Sequence, residues 1–188
     1  MIIAKEKRKE NIAEYILYMW QVEDIIRAYE FDIHQIDLHV ISGFHVDSDI
    51  LHEMHEWYEN LIMIMKNEKL EKSGHCQFLT NLVNELNELH EGLLADPSEV
   101  QYHEYYKLAQ PGIVELQVRS GHCFDHDVDT CLHGLYGLFL LRLRKKEISD
   151  ATTDAFRTIS KMMACLAAKF KQHEEPSGSD QDFDPGLN

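Results

Sequence analysis

The chain has 188 residues, 44% hydrophobic and 27% charged with only four prolines, a globular composition of one-domain size that excludes a fibrous or wholly disordered protein. Its formal net charge of −15 leaves no basic surface for a phosphate backbone, so nucleic acid is not an expected partner. The apolar run Leu138 to Leu141 ends at Arg142, and no apolar run in the chain approaches the roughly 20 residues a membrane span needs. The N-terminus lacks the order of an export signal, and Cys76, Cys123, Cys131 and Cys165 form no C-x-x-C pair, so a cytoplasmic protein with reduced thiols is expected.

From Lys5 to Tyr29, the residues Ile12, Tyr15, Ile16, Met19, Val22, Ile26 and Tyr29 recur three and four apart, which predicts a helix face. Glu23 and Asp24, inside this apolar helix, read either as partly buried acids or, more plainly, as Glu23 paired in the favourable order with Arg27 four residues on and Asp24 facing water. Phe31 to Ser42 keeps helical spacing, so residues 5–42 read either as one kinked helix or as two, with Gly43 supplying a stop through positive φ. Asp47 or Ser48 caps the next helix, whose face includes Met54, Trp57, Leu61 and Met65 and which ends before Ser73-Gly74.

His75 to Ala95 carries another stripe, from Phe78 and Leu79 to Leu93, and Asp96-Pro97-Ser98 breaks it. Pro97 suits the first turn of the following helix, to about Arg119, in which Pro111-Gly112 predicts a kink or break. A loop from Ser120 to Asp125 leads into a helix from about Asp127 to Lys146, acidic at its start and basic at its end as the helix dipole favours. Its middle, Cys131 to Leu141, is nearly all apolar, which predicts a place at the centre of a bundle, and Gly134 and Gly137 would let a neighbouring backbone approach. The last helix, about Asp150 to Gln172, presents Phe156, Ile159, Met163, Leu166 and Phe170. The sum is an all-α, up-and-down bundle of six or seven amphipathic helices over residues 1–173, with a disordered acidic tail over 174–188.

Twelve histidines invite a search for metal or acid–base chemistry. His52 and His55 are three apart, not the four a zinc-protease helix needs, and each can instead pair with a glutamate one turn on, Glu56 and Glu59. The segment 122–133 offers His122, Cys123, His126 and His133 as candidate metal ligands at a loop-to-helix junction. Its spacing matches no closed zinc site, and its plainer reading is a helix start made of capping acids, with Asp129 and His133 forming an i,i+4 pair. Arg119 and His126 fall within the loose Arg/His spacing of HEPN-class ribonucleases, which makes them the candidate catalytic residues, the Arg orienting phosphate and the His transferring protons. No Glu-x-x-His pair, phosphate loop, nucleophile elbow or flanked cysteine occurs, and no cofactor is specified.

The segment Asn11-Ile12-Ala13-Glu14-Tyr15-Ile16-Leu17-Tyr18-Met19-Trp20-Gln21-Val22-Glu23-Asp24-Ile25-Ile26-Arg27-Ala28 resembles the opening of a bacterial family known as domain of unknown function 4924. The resemblance extends in length and helical pattern over nearly the whole chain apart from the tail. It implies a small helical protein of unknown function and carries over no catalytic residues. An interaction or scaffold module that self-associates is therefore the leading expectation, with Trp20, Trp57 and Met65 as candidates for a contact patch. A metal-binding protein or metal-dependent hydrolase built on 122–133, and a HEPN-like ribonuclease, are the alternatives, and no constellation decides whether the chain is an enzyme.

Overall fold

The computed structural model describes residues 2–121 and 124–174. His122 and Cys123, and the expected tail beyond Glu174, lie outside the described residues. Every regular element among the described residues is helical: α1 (Ile2–Glu10), α2 (Ile12–Ala28), α3 (Ile33–His39), a 3-10 turn (Ile41–Gly43), α4 (Ser48–Asn67), α5 (Gln77–Ala95), α6 (Val100–Ser120), α7 (Asp127–Leu143) and α8 (Asp150–Glu174). The all-α expectation stands, and the helices number eight because the first stretch is cut twice.

Each cut has a local cause. Asn11 ends α1 and caps α2, its Oδ1 accepting the Ala13 N–H at 3.0 Å, as a side chain that competes for backbone donors should. Glu30 and Phe31 then take positive φ (53° and 61°), and Asp32 caps α3 by accepting the His34 N–H at 2.9 Å, so residues 5–42 are separate helices. Gly43 is not the stop by positive φ that was expected, since the only glycines with positive φ among the described residues are Gly74 and Gly121.

The chain forms two compact units. The first comprises 1–10 and 14–81, the second 11–13 and the described residues from 82 onward. In the first unit α3 and the 3-10 turn pack on α4, and Trp20, Trp57, Tyr58 and Met65 are almost fully buried. Trp20, Trp57 and Met65 are thus core residues, not a contact patch, because each lies on the inward stripe of its helix.

In the second unit α6 runs along α8, and α7 packs on both. Gly112 lies at this crossing, where an added Cβ would stand in ordinary contact with the Ala155 Cβ at 3.4 Å and Ile159 Cδ1 at 3.5 Å. Pro111 sits inside an uninterrupted α6, which corrects the expected break. An interior proline costs about 3 kcal/mol in an isolated helix, and the packing of Ala109 and Ile113, both buried on either side of it, offsets that cost. Pro97 lies ahead of α6 rather than in its first turn. Asp96 holds a turn there by accepting the Ser98 N–H at 2.8 Å and its Oγ–H at 2.7 Å, and these bonds lower the Asp96 carboxyl.

The expectation for α7 fails in its second half. Val128, Thr130, Cys131, Leu132 and Leu138 are buried, but beyond Leu138 Phe139, Leu141 and Leu143 are exposed and Leu140 is half-buried. Gly134 meets side chains rather than a backbone, its added Cβ lying 2.6 Å from Leu116 Cδ1 and 3.1 Å from Phe156 Cε1, while Gly137 has nothing within 4 Å.

Candidate functional site

Three places gather chemistry-bearing side chains. The first is the start of α5. Glu23, on the inward face of α2, is fully buried, and burying a lone carboxylate costs several kcal/mol unless it is paired. Its Oε1 accepts the Cys76 N–H at 2.8 Å and its Oε2 accepts His75 Nδ1–H at 2.6 Å, at the helix end where the dipole favours a negative charge. Glu68 takes the next orphan donor, the Gln77 N–H, at 2.7 Å. The His75 ring stacks on Trp20 with centroids 4.1 Å apart.

Arg27 does not pair with Glu23 as its spacing suggested. It pairs with Asp24 at 3.0 Å and donates to the carbonyls of Leu70 and Gly74, which ties the 68–77 loop to α2. Burial and the neighbouring Glu23 charge push the Cys76 thiol far up, so it is no nucleophile. The group fixes a helix start, and sequence spacing concealed it because its partners are 52 and 53 residues from Glu23.

The second place is the start of α7. His126 is its N-cap residue, and its carbonyl accepts the Thr130 Oγ–H at 3.0 Å. Asp127 accepts the Tyr106 hydroxyl at 2.8 Å and Gln117 Nε2–H at 3.1 Å, and the same Gln117 amide reaches Thr130 Oγ1 at 3.3 Å. Burial and that bond to Asp127 push Tyr106 up to about 12. Behind them buried His90 shares a 2.6 Å hydrogen bond with the buried Tyr102 hydroxyl. Burial holds His90 below its ordinary value, against the pull of Asp127 and Glu91.

Of the sequence candidates, Arg119, His126 and His133 fall around this network, and His122 and Cys123 lie outside the described residues. Arg119 is exposed (75%) and pairs with Glu115 at 2.7 Å. His126 keeps a buried Nδ1 with no hydrogen-bond partner, and no bond joins it to Arg119. His133 pairs with Asp129 at 3.0 Å, as the i,i+4 reading expected. His52 with Glu56 (3.2 Å) and His55 with Glu59 (3.6 Å) also pair one turn apart, and His55 is further held by Asp37 at 2.9 Å, a partner spacing could not reveal. Among the described residues no group of three or more His, Cys, Asp or Glu is placed to hold a metal ion.

The third place is the end of α7. The stripe Val128, Leu132, Leu135, Phe139, Leu143 follows helical spacing, yet it passes from fully buried at its first two members to 37% exposed at Phe139 and 68% at Leu143. Leu141 is 43% exposed beside them, and Tyr136 stacks on Phe139. On α6 of the same unit, Leu108, Val114 and Val118 are also exposed. Sequence reading missed this place because an all-apolar stretch is equally the mark of a central helix and of a helix that waits for a partner.

No described helix is long and apolar enough to cross a membrane. Among known proteins, the family described as Domain of unknown function (DUF4924) matches residues 1–177. No curated protein and no solved structure matches the chain.

Proposed function

We propose, for a chain that belongs to the Domain of unknown function (DUF4924) family, a role as a helical interaction module that binds protein partners, a second copy included, through the exposed end of α7. The observation that carries this reading is the apolar stripe of α7 continuing through Phe139 and Leu143 past Leu138, its last buried residue. Stable monomers seldom leave large apolar side chains grouped at the surface without a use. Magnitude limits the strength of the contact. Covering three partly exposed side chains yields on the order of 3 kcal/mol, less than the roughly 4–15 kcal/mol that association costs in lost motion. The apolar end alone therefore supports a weak, reversible contact.

Sedimentation velocity over a rising concentration series tests the self-association. The wild type is expected to sediment faster as concentration rises, and a Leu143→Glu chain to stay monomeric. A wild type monomeric at every concentration removes self-association from the reading.

A further inference from the structure

The end of α7 is basic as well as apolar, in a chain that is otherwise strongly acidic. Arg142, Arg144, Lys145 and Lys146 are all exposed, and among the described residues none of them makes a hydrogen bond or ion pair through its side chain. In sequence, four cations over residues 142–146 are followed by two acids, Glu147 and Asp150, a local excess of positive charge in a chain whose net charge is −15. The helix closes with Lys145 in the left-handed region (φ 52°), its N–H bonding to the Arg142 carbonyl and the Lys146 N–H to the Leu141 carbonyl. That ending places the four cations within the five residues that follow Leu141.

We infer that the end of α7 is a docking site for an acidic amphipathic segment of another protein, its apolar side chains on Phe139, Leu141 and Leu143 and its carboxylates on Arg142, Arg144, Lys145 and Lys146. The inference rests on the interaction-module reading and names the partner's chemistry. Charge decides among occupants. A twofold contact between two copies of this end would set cations against cations, which keeps self-association weak and leaves an acidic segment the tighter occupant. A phosphate backbone or an anionic bilayer presents a far larger negative surface than a peptide of helix size, and the chain's net charge of −15 opposes its approach the more. Apolar area alone is too small for a lasting complex, so the charge pairs set specificity and the rate of encounter.

The test uses the full chain and a fluorescent helix-forming peptide with leucines on one face and glutamates on the other, read by anisotropy. A second peptide has glutamine at every glutamate position, and phosphatidylserine/phosphatidylcholine vesicles form a third arm. The acidic peptide is expected to bind at least about tenfold more tightly than its glutamine counterpart, and to weaken as salt rises from about 0.1 to about 0.5 M. Joint replacement Arg142→Gln, Arg144→Gln, Lys145→Gln and Lys146→Gln should abolish that preference, and Leu143→Ser should weaken both peptides, with circular dichroism unchanged in each variant. Equal binding of the two peptides overturns the acidic partner and leaves the interaction module standing. Binding of neither peptide, with a wild type monomeric throughout the concentration series, overturns both. Binding of vesicles in place of peptide overturns the inference in favour of a membrane surface.

Discussion

The two halves of α7 are one helix with opposite fates. Its first half is enclosed by α6 and α8, with its polar side chains bonded to Tyr106, Gln117 and its own backbone, and its apolar ones wholly buried. Beyond Leu138 it stays apolar but leaves Phe139, Leu141 and Leu143 exposed, and its cations have no partners among the described residues. The contrast teaches that an apolar pattern specifies which face must be covered, and says nothing of whether the chain's own helices do the covering.

Truncations at matched positions should separate the halves most clearly. Leu132→Ala removes a fully buried side chain and is expected to cost about 2–5 kcal/mol in chemical denaturation, whereas Leu143→Ala should stay within about 0.5 kcal/mol. Equal costs at both positions would mean that the end of α7 is covered after all.

The polar network makes the next largest claim. Asp127→Ala leaves the Tyr106 hydroxyl and the Gln117 amide without their acceptor and should cost about 1–3 kcal/mol. An unchanged denaturation midpoint would show that the network contributes nothing to the fold.

The two glycines sharpen the boundary itself. Gly137→Ala enters open space and should stabilise by about 0.5–1 kcal/mol through helix propensity. Gly134→Ala meets Leu116 and Phe156, so that same gain should be cancelled or reversed by about 1 kcal/mol of crowding. Stabilisation of the same size by both substitutions would refute the packing described at Gly134.

Acidity gives the smallest effects, and their signs oppose. His90 is held down by burial, so its contribution is complete above its ordinary value of 6.5 and is lost as pH falls through the folded value. For His133 burial lowers the value but the bond to Asp129 and its charge outweigh burial and leave it raised, so its contribution is complete below 6.5 and is lost as pH rises through the folded value. Burial raises the Asp129 carboxyl, yet His133 outweighs it and leaves it lowered, so the pair also weakens as pH falls through that lowered value. His90→Gln should flatten the loss of stability on the acid side of 6.5 and Asp129→Asn the loss on its alkaline side, the second by less than about 1 kcal/mol for so exposed a pair. Melting curves across that range read both, and slopes of the same sign in the parent of each variant would contradict the assignments.

Much of this was legible in the sequence, and the exceptions share a cause. Helical spacing located the inward faces of α2, α4, α5 and α8, and one-turn pairs such as Asp129 with His133 followed from it because both partners ride the same helix. Asn11 was hidden within an otherwise continuous stripe, although an Asn before Ile12 is a cap signal in its own right. Glu23 read either as a buried acid, which it is, or as a partner of Arg27, which it is not, and its partners, His75 and the Cys76 N–H, come from a distant turn that spacing cannot see. Pro111 announced a kink or a break, and α6 runs through it without a break. For Arg119 and His126 the spacing was real but did not converge, one paired outward to Glu115 and the other lodged at the cap of α7.

Hydrogen exchange of the full chain at low and at high protein concentration tests most directly whether the end of α7 is a contact surface. Exchange over residues 139–146 is expected to slow at high concentration, while residues 127–134, already enclosed, stay unchanged. Exchange at 139–146 that is the same at both concentrations, or slowing confined to other helices, would contradict the account.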